Sequence, residues 1–82
     1  MTFRMCGHTI AVQDAAEELA SARAKFKTFN SAHEGYAVIL EELDELGREV
    51  QSKGRTKESM RAEAVQVAAM AIRFIEDVCD RS

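Results

Sequence analysis

Leu40-Glu41-Glu42-Leu43-Asp44-Glu45-Leu46 is the stretch on which the reading of this chain turns. Four acidic side chains fall in five positions, and three leucines hold the same segment against an apolar interior. A carboxylate beside a core is costly unless a cation meets it. On a helix, residues three apart stack on one face, a turn from each other. Glu42 and Glu45 then form one acidic edge, and Glu41 and Asp44 another. Two readings follow. Either one of these edges binds a divalent metal ion, or the run is a solvated helix face, as most charge runs are.

A solvated charged helix often places a lysine or arginine four residues after a glutamate. Here only Asp44 finds such a partner, in Arg48. Glu41 is followed at that spacing by Glu45, Glu45 by Glu49, and Glu42 by Leu46. Repulsion within the helix is poorly compensated, so relief must come from a bound cation or from a basic face on another helix.

Outward from this stretch, Tyr36, Ile39, Leu43, Leu46 and Val50 repeat as one helical face, with Leu40 and Gly47 beside it. Glu34, Val38, Glu42, Glu45 and Glu49 run down its flank. Upstream, Phe29-Asn30-Ser31 is a break, and Ser31-Ala32-His33-Glu34 matches a capping box, so the helix is predicted to start near Ala32. His33, in its first turn, reads as a surface residue or as a base or ligand. Downstream, Gln51-Ser52-Lys53-Gly54-Arg55 ends the helix, with Gly54 the expected left-handed cap.

A preceding helix is predicted from about Val12 to about Lys27, burying Val12, Ala15, Leu19, Ala22 and Phe26. Its far side carries Glu17, Ser21, Arg23, Lys25 and Lys27. The basic cluster either complements the helix dipole or attracts phosphates. A following helix is predicted from an N-cap at Thr56 to about Cys79. Its buried face is Met60, Ala64, Val67, Ala71, Phe74 (or Ile75) and Val78. Glu63 sits three after Met60 and four before Val67, at the rim of that face, and Gln66 lies one turn on. The two either complete a metal site or form an interhelical hydrogen-bond pair. Asp77 stands about 21 Å further along the helix, too far to share an ion with Glu63.

Eighty-two residues make one small domain, here residues 11–82 behind an N-terminal arm, residues 1–10. With 46% hydrophobic residues the chain is expected to fold, and with no proline it is expected to be helical. A net charge of −3 with mixed signs excludes a general nucleic-acid binder, which needs a basic stripe. No apolar run is long enough for a membrane span and no signal-peptide pattern is present, so a cytoplasmic protein is expected. Cys6 and Cys79 lack metal-type spacing and read as reduced thiols or, less simply, as one disulfide joining the ends. Phe3 and Met5 in the arm are candidates to dock on a partner, and Cys6 with His8 is a weak pair for metal.

Together these residues resemble the all-α nucleoside triphosphate pyrophosphohydrolases of the MazG type, over roughly residues 10 to 80. That family carries Glu-Glu-x-x-Glu on one helix and Glu-x-x-Asp on the next. Glu41-Glu42-Leu43-Asp44-Glu45 matches the first motif, and Glu63-Ala64-Val65-Gln66 the second, with Gln66 in place of the aspartate. The resemblance implies an all-α chain of three helices that forms four-helix bundles by dimerisation, as a dimer or a dimer of dimers. It implies Glu42 and Glu45 as catalytic residues, and Glu42, Glu45, Glu63 and Gln66 as ligands of Mg²⁺ or Mn²⁺. Where the family has an asparagine serving the phosphates this chain has Arg73, which either meets phosphate, together with Lys25, or pairs with Asp77. The implied reaction is cleavage of a nucleoside triphosphate to the monophosphate and pyrophosphate.

Overall fold

The computed structural model describes residues 9–81. Three helices account for most of them: α1 (Ile10–Lys25), α2 (Ala32–Gln51) and α3 (Lys57–Phe74). α3 continues into a wider π-helical turn, Ile75–Cys79, closed by the Asp80 amide donating to the Ile75 carbonyl at 2.9 Å. There is no strand among the described residues. No helix among them is long and apolar enough to cross a membrane. The expected contacts of Phe3 and Met5 and the pair Cys6 and His8 lie outside the described residues. Cys79 is an exposed free thiol.

Local chemistry sets the helix starts. Thr9 Oγ1 accepts from the Val12 amide, so α1 begins two residues before the expected Val12. Ser31 Oγ accepts from the Glu34 amide at 3.0 Å, as its capping box requires. The reciprocal glutamate contact is displaced by one residue, with the Asn30 amide donating to Glu34 Oε1. Thr56 caps α3 reciprocally with Ser59, and Ser59 Oγ also donates to Glu49 Oε2 at 2.6 Å. That last contact ties the flank of α2 to the start of α3.

Two helix ends depart from the expectation. α2 does not close on a left-handed Gly54, since no described glycine has a positive φ. Ser52 ends it in extended conformation, its side chain accepting from the Gly54 amide, and Arg55 donates to the Val50 carbonyl. α1 stops at Lys25 rather than Lys27 because tertiary contacts pull the next residues out of the helix. Arg73 donates to the Lys27 carbonyl, and the Phe29 amide donates to Asp77 Oδ2 at 3.0 Å.

α3 is the central helix. It packs against both α2 and α1, while α1 and α2 scarcely touch. The small core of Ala22, Phe29, Ala69 and Met70 is lined by Leu19, Val38, Ile39, Phe74 and Val78. Gly35 is buried where α2 meets the two phenylalanines, and a Cβ there would lie 2.6 Å from Phe74 Cδ2. This close approach fixes which face of α2 meets α3.

The face expected to be buried on α2 is only partly covered: Ile39 lines the core and Leu46 is half-buried, but the rest is turned away. Tyr36 is 64% exposed and Leu43 50%, and Leu40 and Val50 are exposed as well. On α1, Ala15 and Ala22 are buried as expected, but Val12 and Phe26 face outward. On α3 the buried residues are Ala69, Met70, Arg73 and Asp77, while Ala64 and Ile75 are exposed. Periodicity finds an apolar stripe; it does not say which stripe a neighbour of the same chain covers.

Candidate metal centre and groove

Because α1 and α2 stand apart over α3, a groove opens between them with a cavity of about 470 Å³. α3 supplies its floor through Gln66, Met70 and Arg73, and the linker Phe26–Asn30 closes one end. Glu18 of α1 and Glu41 and Glu42 of α2 line it near the other end, by their order along the helices. Lys25 and Lys27 line it toward the linker. The far end of the groove thus carries carboxylates alone, and the linker end, about 10 Å or one and a half to two helical turns away, carries Lys25 and Lys27 together with Glu34.

At the acidic end Glu42, Glu45 and Glu63 each bring one carboxylate oxygen within 4.8 Å of the others. Glu42 and Glu45 are one turn apart on α2, and Glu63 comes from the facing side of α3. Glu42 and Glu63 are half-buried and Glu45 is exposed. None of the three is in an ion pair among the described residues. Burial first, then the charges of Glu45, Glu63, Glu41 and Glu18, raise the pKa of Glu42. Like charges held together without a counterion fit a cation better than they fit each other.

Gln66 is half-buried beside this cluster and lines both the groove and a smaller hollow with Glu18, Asp14 and Arg61. Neither Gln66 nor Glu63 makes a side-chain hydrogen bond with another described residue. The interhelical hydrogen-bond pair read from the sequence is absent between them.

Arg73 is only 5% exposed. Its guanidinium lies 4.0 Å from the Phe29 ring centroid and 5.8 Å from that of Phe26. Besides Lys27, it donates to Met70 Sδ, and its Nε stands 3.7 Å from Asp77 Oδ2 without a hydrogen bond. Of the two roles read for Arg73, the pairing with Asp77 is present. Lys25 is exposed on the groove wall, and His33 is exposed.

Asp77 is the anchor of the closed end. It is buried, and it accepts from Phe29 N and from Arg23 Nη1 at 2.9 Å, while Arg23 also meets Glu76 at 2.7 Å. Burial alone would raise its pKa. The Phe29 hydrogen bond, Arg23 and Arg73 outweigh burial and lower it.

Glu18 was not singled out from the sequence, although a signal for it exists. It sits three after Ala15 and four before Ala22, the same rim position that Glu63 occupies between Met60 and Val67. The role of Gly35 had no comparable signal, since it depends on where Phe29 and Phe74 arrive.

Over the described residues, fold and groove together define an all-α three-helix chain with a carboxylate cluster at one end of an open groove and Lys25, Lys27 and Glu34 at the other. No family model, curated protein or solved structure matches the chain.

Proposed function

We propose that the chain is a magnesium-dependent nucleoside triphosphate pyrophosphohydrolase of the MazG type, cleaving (d)NTP to (d)NMP and pyrophosphate. One observation carries the reading. Glu42, Glu45 and Glu63 converge from two helices, with no cation paired to them among the described residues, beside a groove of nucleotide size. An all-oxygen donor set suits the hard ions Mg²⁺ and Mn²⁺. The three glutamates would hold the ion, with the Gln66 side-chain oxygen as a neutral fourth ligand. Bound there, the ion would neutralise phosphate charge and acidify a water.

The chain's own groups supply the rest. Glu42, half-buried and lining the groove, would take the proton from the water that attacks the α-phosphorus. The bond from that phosphorus to the bridging oxygen breaks, and pyrophosphate leaves with the electron pair. Glu45, one turn from Glu42 and exposed, would share the same ion. Lys25, which lines the groove, would meet a phosphate oxygen. Arg73 would contribute indirectly, by holding the linker at Lys27.

A second reading rests on Gln66, which removes one charge from the ligand set and favours a metal- or nucleotide-binding relative without turnover. A third is a helical oligomerisation module whose acidic edge is surface. Under the first reading the protein is a cytoplasmic homodimer or homotetramer whose helices complete four-helix bundles, with no nucleic-acid or membrane partner. Pyrophosphate release from a panel of (d)NTPs, followed across a magnesium titration, separates the three. Magnesium-dependent release supports the enzyme, nucleotide binding without release supports the relative, and neither supports the module.

A further inference from the structure

A second hollow, of about 300 Å³, lies between α1 and α3 and shares Glu18 and Gln66 with the groove. Its two walls differ in kind. α1 brings Asp14, Glu17 and Glu18, while α3 brings Ala62 and Val65 beside Arg61. Arg61 is paired with Asp14 at 2.8 Å. Glu17 and Glu18 are in no ion pair among the described residues.

The hollow lies close to where the described chain begins. Thr9, which caps α1 in extended conformation, is separated from the span Asp14 to Glu18 by about 8 to 14 Å along the helix. Before it stand Met1-Thr2-Phe3-Arg4-Met5-Cys6-Gly7-His8, with one arginine and no acidic group. Arg4 is five residues from Thr9, a reach of up to about 17 Å of extended chain. That is enough to come level with Glu18 after turning back along α1, and Gly7 is where such a turn costs least. Extended chain sends successive side chains to opposite sides. Arg4 then falls on one side, and Phe3 and Met5 on the other. The alternation matches the hollow: a cation for the acidic wall, two apolar groups for the apolar one.

We propose that the chain's own residues 1–8 fill this hollow, with Arg4 against Glu17 and Glu18 and with Phe3 and Met5 on Ala62 and Val65. A guanidinium can meet two carboxylates at once through its several donors. With the hollow filled, Gln66 is left the groove to face, so the arm sets the side chain that is offered to the ion. The docking itself needs neither the ion nor hydrolysis.

Cysteine cross-linking tests this with the native Cys6 in a Cys79→Ser background. Cys6 lies between Arg4 and Thr9 and falls beside Ala62. With Ala62→Cys it should therefore form a disulfide within the chain, roughly tenfold faster than with Ala16→Cys. Ala16 is exposed, within the same reach of Thr9, and on the opposite side of α1. Arg4→Glu should bring the Ala62→Cys rate down to that of Ala16→Cys, and Glu17→Gln with Glu18→Gln should slow it in the same direction. Equal rates in the two cysteine variants, or a rate unmoved by Arg4→Glu, would overturn the proposal. So would a disulfide formed between chains in place of within one, since the occupant would then be a second copy. A chain that cross-links as expected but neither responds to magnesium nor releases pyrophosphate keeps the arm in the hollow and loses the metal centre.

Discussion

Glu42 on α2 and Glu63 on α3 hold carboxylate oxygens within 4.8 Å of each other, with Glu45 completing the triangle. Neither helix gains stability from this meeting. Burial and the neighbouring charges raise the pKa of Glu42, so the folded chain keeps that proton to higher pH than the unfolded chain does. Below the ordinary glutamate value of 4.5 both states are protonated and there is no penalty. As pH rises from there through the raised folded value, stability falls, and above it the penalty is constant. Glu42→Gln should therefore raise the melting temperature at neutral pH in the absence of metal, and flatten that fall. A variant less stable than the parent at pH 7 would show that the carboxylate is held by an attraction.

Asp77 has the opposite sign. Its folded pKa lies below the ordinary aspartate value of 3.8, so its contribution is present above that value and is lost as pH falls through the folded one. Asp77→Asn leaves Arg73 buried and takes the charge from Arg23, which should cost about 2 to 3 kcal/mol in urea unfolding. Amide exchange at Phe29 should speed up in the same variant, because its hydrogen-bond acceptor is weakened. Unchanged exchange would mean that the linker is held by Arg73 and ring packing alone.

Gly35→Ala reverses the usual helix rule. Alanine should gain about 1 kcal/mol in helix propensity. Its Cβ would lie 2.6 Å from Phe74 Cδ2 and 3.1 Å from Phe29 Cδ2. Displacing two rings of a small core costs about 1 to 3 kcal/mol. A net loss of stability is expected by thermal melting, and a gain would mean that α2 and α3 do not approach this closely.

The three helices were legible because their starts are written in short signals, Ser31 with Glu34 and Thr56 as a cap, and because apolar residues recur at helical spacing. The acidic cluster was legible for a related reason: Glu42, Glu45 and Glu63 each occupy a rim position next to an apolar stripe. The choice of face on α2 was not legible. Tyr36, Leu43 and Val50 form the stronger apolar stripe, yet the buried position is Gly35, whose value is the space it leaves. The end of α1 was hidden for a similar reason. The linker is shaped by Arg73 and Asp77, far along the chain, and no local propensity carries that information.

Gln66→Asp adds a fourth acidic group at the position where the resembled family has one. Without metal the variant should be less stable than the parent, since Glu42 and Glu63 already repel. With magnesium it should gain more in melting temperature than the parent does. An identical magnesium response in both proteins would show that residue 66 faces away from any ion.

The most direct test is magnesium-dependent melting of the parent chain beside Glu63→Gln. An ion that binds only the folded state, at ten times its dissociation constant, stabilises by about 1.4 kcal/mol. For a domain of this size that is roughly 5 to 10 °C. The parent should show such a rise, saturating with magnesium, and Glu63→Gln should lose most of it while keeping its helical signal. A parent whose melting temperature does not move with magnesium or manganese, or a Glu63→Gln variant that responds as fully as the parent, would contradict a metal centre at this cluster.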